Sequence, residues 1–285
     1  GYVSETFLLA ADAKTGKLRW QRKLTGHFTD PWIAHVSIAS DGTVYAGARD
    51  ALYAFAPNGE KIWSYQYAYE ADTYKAPQSS TGPTLSPDEK TVYHYRRFGG
   101  GLYAHDAKTG KQKWRRPGGY SDFSSPTVGP DGTIYMALAE ESHTLYAITP
   151  EGKEKWKAVF KGNIVSSNPA VGRDGTIYVD VAKTAGDGGG TIYALIPANG
   201  GIKWEFDLPK GYMVTAMAVD SRDNIYYAHG DGYLYCINPQ GGLLWKFLIG
   251  DKSGRTEQVF MSGPAIHKGT LYAIVGNTDT FGLLI

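Results

Sequence analysis

The chain has one cysteine, Cys236, so no disulfide can form within it, and no Cys/His set stands at the spacing of four zinc ligands. Charge of one sign is lacking too. The 29 basic and 28 acidic side chains leave a formal net charge of +1, spread without a basic stripe. Phosphate neutralisation needs such a stripe, so nucleic acid is not an expected partner. No apolar run approaches the ~18 residues that cross a bilayer as a helix, so no transmembrane segment is expected. The opening Gly1-Tyr2-Val3-Ser4 has no basic stretch followed by an apolar one. His-Glu-x-x-His, the Gly-x-Ser-x-Gly elbow, an EF-hand loop and Asn-x-Ser/Thr acceptor sites are all missing.

The chain is rich in glycine (36), tyrosine (21) and tryptophan (7), and at 42% hydrophobic over 285 residues it can fill a packed core. These residues recur in phrases. Leu102-Tyr-Ala-His-Asp-Ala-Lys-Thr-Gly-Lys-Gln-Lys-Trp114 nearly repeats Leu8-Leu-Ala-Ala-Asp-Ala-Lys-Thr-Gly-Lys-Leu-Arg-Trp20, and shorter versions end at Trp63, Trp156, Trp204 and Trp245. The spacings of 43, 51, 42, 48 and 41 residues suit four short strands with turns. Upstream of each hairpin from the second onward stands a second phrase, Asp41-Gly-Thr-Val-Tyr45, Asp131-Gly-Thr-Ile-Tyr135 and Asp174-Gly-Thr-Ile-Tyr178 among them. Asp-Gly between β-branched and aromatic residues predicts a hairpin with positive φ at both turn positions. Nothing reads as a helix.

Each unit is written as strands A to D: the Ser/Pro phrase, the Gly-Thr-Ile-Tyr phrase, Leu-Tyr-Ala, and the strand that carries Trp. The expected fold is an all-β propeller of four-stranded antiparallel blades, one domain over 1–285 with partial blades at both termini. Seven blades are favoured, with six or eight open. The regular Trp and Tyr are read as packing residues.

Asp-Gly-Thr-Ile-Tyr, Leu-Tyr-Ala and Gly-Lys-x-x-Trp, repeated over essentially the whole chain, resemble the pyrroloquinoline-quinone-like (PQQ-like) propeller repeat family, with its quinoprotein dehydrogenase-like and BamB-like branches. That resemblance implies a secreted or cell-envelope protein. For the dehydrogenase branch it implies a quinone, a Ca²⁺ ion held by oxygen ligands, a catalytic Asp and often a pair of adjacent cysteines. The cysteine pair is missing, and no Glu/Asn/Asp set proposes a Ca²⁺ cage. No cofactor and no metal are therefore expected.

Site residues are sought on the D-to-A and B-to-C loops, which emerge on one face of a propeller. His35 is the titratable member of the positions aligned on the strand A proline, where Asn168 is its counterpart in a later unit. His94, Arg96 and Arg97 break the apolar alternation expected of strand B, and an Arg pair suits a carboxylate. Asp180 and His229 are polar insertions in their strands, and inward-facing side chains there would join His35 around one pocket. Trp32, Tyr67, Tyr69, Tyr74 and Asp122 supply aromatic platforms and polar edges for a sugar ring or a peptide ridge.

The leading expectation is a non-redox binding or scaffold module for a protein segment or a carbohydrate. An enzyme acting on an acidic sugar, a lyase or hydrolase, is the alternative: Arg96 or Arg97 would neutralise a carboxylate, and His35, His229 or Tyr120 would transfer the proton. A PQQ-dependent dehydrogenase is the second alternative. Whether the chain is an enzyme at all, and its oligomeric state, stay open at this point.

Overall fold

The computed structural model describes residues 6–24, 36–48, 51–67, 82–96, 100–117, 125–138, 144–164, 168–183, 189–210, 216–248, 259–261, 263–273 and 275–277. All regular elements among them are strands. They fall into two compact units, Gly1–Val128 with Pro150–Lys153, and Gly129–Thr149 with Glu154–Ile285.

The first unit begins with a hairpin, β1 (Thr6–Ala11) and β2 (Leu18–Leu24). A four-stranded antiparallel sheet follows in chain order: β3 (Val36–Ile38), β4 (Val44–Gly47), β5 (Ala51–Phe55) and β6 (Lys61–Gln66). The next repeats it with β7 (Thr84–Leu85), β8 (Thr91–Arg96), β9 (Gly101–Asp106) and β10 (Gln112–Arg116), and β11 (Thr127–Val128) closes the unit. In the second unit β12 (Ile134–Leu138), β13 (Thr144–Ile148) and β14 (Glu154–Val159) pair in order. There β15 (Asn163–Ile164) and β16 (Ala170–Val171) both pair with β17 (Ile177–Ala182), which continues to β18 (Gly190–Leu195) and β19 (Ile202–Leu208). A regular sheet follows of β20 (Ala218–Val219), β21 (Ile225–Ala228), β22 (Tyr233–Ile237) and β23 (Leu243–Leu248). Last comes a ribbon in which β24 (Val259–Met261) pairs with β27 (Val275–Asn277), and β25 (Ala265–His267) with β26 (Thr270–Tyr272). These sheets fit seven blades.

The turns depart from the expected chemistry in one respect. In the Asp-Gly turns only the glycine has positive φ: 83° at Gly42, 82° at Gly132 and 84° at Gly175. The Gly42 N–H donates to Ala39 O and the Ala39 N–H to Thr43 O, which is a three-residue loop ending in a left-handed residue. Aspartate is chosen for its side chain instead: Asp41, Asp131 and Asp174 each accept the N–H two residues on, from Thr43, Thr133 and Thr176 at 2.8, 3.0 and 2.9 Å.

The strands also differ from simple alternation. Over β5 and β13 every residue is buried, and over β8, β9 and β17 every residue but the last. Strands packed on both faces have no solvent side to mark with polar residues, so His94 interrupts no alternation: it lies wholly inside.

The tryptophans hold neighbouring blades together by one repeated contact. In the first unit the Nε1–H of Trp20, Trp63 and Trp114 donates to Pro57 O, Ala107 O and Pro150 O at 2.8, 2.9 and 2.8 Å. In the second unit Trp156 and Trp204 donate to Pro197 O and Pro239 O at 2.9 and 2.8 Å. Each indole lies flat on the turn glycine beyond that carbonyl. A Cβ at Gly59, Gly110, Gly152, Gly200 or Gly241 would stand 2.7, 2.6, 2.8, 2.6 or 2.8 Å from the ring. Behind the rings of Trp63, Trp114, Trp156 and Trp204 sits the strand B tyrosine of the same blade, as in Tyr93–Trp114 at 5.9 Å and Tyr178–Trp204 at 5.8 Å between centroids.

Two turns of one sequence, Asp-Ala-Lys-Thr-Gly-Lys, separate backbone strain from this contact. Gly16 and Gly110 have φ of 68° and 72°, yet a side chain at Gly16 meets nothing within 4 Å while one at Gly110 strikes Trp63. Gly16→Ala is expected to cost about 1 kcal/mol, the left-handed penalty alone. Gly110→Ala adds displacement of a packed indole and is expected to cost about 2–4 kcal/mol. Urea unfolding of the two variants measures the difference, and equal losses would remove the indole contact from the account.

Candidate functional site

Three features stand out from the regular repeat: a polar cluster buried in each unit, and an apolar strand left open to solvent. In the first unit β8 and β9 carry His94 and His105 side by side, both fully buried, with ring centroids 5.2 Å apart and planes perpendicular. The His94 Nε2 is 2.6 Å from the hydroxyl of Tyr67, and the guanidinium of Arg96 lies 5.2 Å above the Tyr67 ring. His105 Nδ1 meets Gly110 O at 3.0 Å. A carbonyl only accepts, so Nδ1 carries the proton and Nε2 presents a bare lone pair. Neither His94 Nδ1 nor His105 Nε2 has a hydrogen-bond partner among the described residues. Tyr103 flanks both imidazoles, and Arg115 stands over it at 5.5 Å.

Burial drives the chemistry of this pair. It holds the His94 pKa well below the usual 6.5, with the neighbouring His105 adding to the effect, and it lowers His105 as well. Both rings are neutral packing groups when folded.

In the second unit Tyr227 OH donates to Asp180 Oδ2 at 3.0 Å, with both residues fully buried. Two residues along, His229 Nδ1 is 3.0 Å from Asp231 Oδ1, and Asp231 Oδ2 accepts from Tyr235 OH. Burial raises the Asp231 pKa, but donors from His229, Tyr235 and the Tyr233 N–H outweigh it and hold the carboxyl below its usual range. Burial and then the Asp231 carboxylate push the Tyr235 hydroxyl up. His229 Nε2 is left without a hydrogen-bond partner among the described residues. The Asp231 N–H also points at the same Nδ1, at 3.3 Å, so Asp231 holds the ring through both side chain and backbone, and the ring is sealed from solvent.

The third feature is β23. In β6, β14 and β19 exposed residues alternate with covered ones from the tryptophan onward, whereas all six residues of β23 are exposed. Trp245 is 42% exposed where Trp156 is 8%, and Phe247 reaches 64%. Leu243, Leu244 and Leu248 are open as well.

Among the expected site residues, Arg96 and Tyr67 come together with His94, while Asp180 and His229 are drawn into one polar neighbourhood through Tyr227, 6.2 Å from the His229 ring. Asn168 is half-buried and precedes β16. Trp32, His35, Tyr69, Tyr74, Arg97, Tyr120 and Asp122 lie outside the described residues. His105, Tyr227, Asp231, Tyr235 and β23 were not singled out by sequence. His105 carried a signal, since it fills the position that Phe55, Ile148, Leu195 and Ile237 occupy in the other Leu-Tyr-Ala phrases. No group of three or more His, Cys, Asp or Glu stands together among the described residues. No described helix is long and apolar enough to cross a membrane.

A profile of the PQQ-repeat family described as outer membrane protein assembly factor BamB matches residues 3–123 and 99–282. The chain belongs to this family. It is similar to outer membrane protein assembly factor BamB of Burkholderia pseudomallei, 31% identical over 140 residues, 47% of this chain and 35% of that protein. It is also similar to serine/threonine-protein kinase AfsK of Streptomyces coelicolor, 30% identical over 159 residues, 54% of this chain and 17% of the kinase. The chain thus spans well under half the length of either curated relative. The crystal structure of BamB from Moraxella catarrhalis superposes with a TM-score of 0.64 at 22% identity, covering 94% of this chain and 76% of that one. At that identity the likeness is of fold, a PQQ-like β-propeller.

The buried histidines give a measurable consequence. An unfolded imidazole takes a proton near pH 6.5, whereas the folded ones resist it, so below that pH the unfolded chain binds more protons. Stability is therefore complete above about pH 6.5 and falls as pH drops, by at most about 1.4 kcal/mol per pH unit per histidine. His94→Gln is expected to flatten this slope, read by urea unfolding at about pH 7.5 and about pH 5.5. An unchanged slope would assign the acid sensitivity to other groups.

Proposed function

We propose that this chain is a protein-binding scaffold that holds a polypeptide segment on the open face of β23. The carrying observation is that β23 exposes Leu243, Leu244, Trp245, Phe247 and Leu248 together. Contiguous apolar surface of this kind marks an interaction site. Membership of a family described as an outer membrane protein assembly factor supports a task in which one protein holds another. The chemistry favours polypeptide over glycan. A sugar needs hydrogen-bonding groups around an aromatic platform, and β23 offers aliphatic leucines with Lys246 as its one charged side chain.

An immobilised set of apolar β-strand peptides tests the reading. Retention of the chain is expected, weakened about tenfold or more by Phe247→Asp, because a charge in a desolvated apolar contact costs more than about 1.4 kcal/mol. Equal retention of the wild-type chain and the variant would move the binding surface elsewhere.

A second reading, acid–base work on an acidic sugar, rests on the His229–Asp231 pair alone and requires that substrate reach an imidazole sealed from solvent in this structure. Turnover of a uronate-containing polysaccharide, abolished by His229→Ala and by Asp231→Asn, is the result it requires. Activity that persists in both variants would exclude this pair from catalysis.

A further inference from the structure

Among the described residues, three that are not glycine have positive φ: Glu89 at 56°, Asp223 at 61° and Lys268 at 47°. Lys268 precedes Gly269 in the two-residue β25–β26 turn, where both central positions need that conformation. Glu89 and Asp223 have no such reason. A side chain rarely adopts positive φ, and it stays there where its surroundings hold it. The turns between strands A and B align on one backbone bond: the N–H of Gly42, Glu89, Gly132, Gly175 and Asp223 donates to the carbonyl of Ala39, Ser86, Gly129, Gly172 and Asp220. The two acids thus fill the place that glycine takes in the other three turns.

Each of these carboxylates reaches back to the turn of the preceding blade. In the first unit the Ser40 N–H donates to both Glu89 oxygens at 3.0 Å, and the Ser40 hydroxyl donates to Oε2 at 2.6 Å. In the second unit the Arg173 N–H donates to Asp223 Oδ1 at 2.6 Å. Ser40 and Arg173 hold one turn position, directly after Ala39 and Gly172. Two other turns have Pro87 and Pro130 there, with no N–H to give, and the turn that follows each along the chain has glycine, Gly132 and Gly175. All four successive turns obey one rule: an N–H donor is followed by a left-handed acid, a proline by glycine.

Both seams joined in this way hold a buried polar pair. The sheet β3–β6 meets β7–β10 through Tyr67 and His94, and the sheet β15–β19 meets β20–β23 through Asp180 and Tyr227. Where Pro130 is followed by Gly175, β12–β14 meet β17–β19 through the apolar Leu145, Trp156, Ile177 and Val179. We propose that Glu89 and Asp223 are seam straps, each kept in a strained conformation so that its carboxylate ties down the preceding turn across a seam whose buried polar pair water would otherwise reach. The straps also match each turn to its neighbour. An acid beside a proline bears the strain with no donor, and a donor turn beside glycine loses its acceptor.

A double-mutant cycle on the full chain tests the first strap, with Ser40→Pro, Glu89→Gly and the pair unfolded in urea beside the wild type. Ser40→Pro leaves Glu89 strained and without its donor, and is expected to shift the unfolding equilibrium roughly fivefold or more toward the unfolded chain. The double variant copies Pro130 and Gly175, and most of that loss is expected to return. Glu89→Gly removes the strap and the strain together, so its readout is local: hydrogen exchange of the Ser40 amide is expected to quicken about tenfold. Arg173→Pro with Asp223→Gly repeats the cycle in the second unit, so one proline variant that fails to fold leaves the other to decide. Additive losses in the cycles, or a Ser40 amide that exchanges no faster in Glu89→Gly, would overturn the proposal.

Discussion

Each seated tryptophan requires of its neighbour a stretch of backbone with no side chain in the way and a carbonyl free to accept. Both requirements are met by the turn between strands C and D, where glycine relieves the left-handed strain and uncovers the carbonyl at once. The contact brings successive blades close, and in four of the five the strand B tyrosine backs the indole from its own blade. A repeat protein gains from such a device because its stability is a sum of units and interfaces. One contact made five times contributes to each of five interfaces.

Blades held this close leave their central strands no solvent face. Most of what falls on β8, β9, β17 or β21 is desolvated, and most polar side chains there find partners, the Tyr178 hydroxyl being an exception among the described residues. Asp180 has Tyr227, His229 has Asp231, and His94 has Tyr67, each partner supplied by a nearby strand or turn. The leftover nitrogens of His94 and His105 are tolerable because a neutral ring nitrogen costs far less to strand than a charge. The same burial makes the His94–His105 pair sensitive to acid.

The repeat was legible because its signals are local: Asp-Gly, Leu-Tyr-Ala and Gly-x-x-x-Trp act within one hairpin. Strand order and the packing role of the tryptophans followed from them. The type of turn did not, since Asp-Gly suits a turn with two left-handed residues as well as a loop with one, and the strand pair decides between them. The candidate site was legible only in part. His94, Arg96, Asp180 and His229 were visible as departures from an apolar strand, but their partners come from distant positions, as Tyr227 does for Asp180. Exposure of β23 was invisible for a different reason: Leu-Leu-Trp-Lys-Phe-Leu reads as a well-buried strand, and its openness depends on what lies against it.

The second face of β23 departs from its siblings too. The residue before the tryptophan is lysine in three blades. Lys155 and Lys203 reach the A–B turn of their own blade, bonding Asp131 and Asp174 at 3.0 and 3.1 Å, and Lys113 reaches Thr91 at 2.7 Å. In β23 that position is Leu244, and the turn carboxylate Asp220 is satisfied by Asn224 and Tyr226 instead. Ile62 makes the same exchange in β6, but Ser64 and Gln66 keep the rest of that outer face polar. Leu248 extends the apolar surface of β23 past Lys246, whose ammonium lies 4.5 Å from the Tyr233 ring. A lysine on an edge strand guards it against pairing with other chains, and β23 lacks that guard at position 244. With Leu244 and Leu248 flanking Lys246, the outer face of β23 lacks the polar run that Ser64 and Gln66 give β6, which is the kind of surface a partner strand would meet.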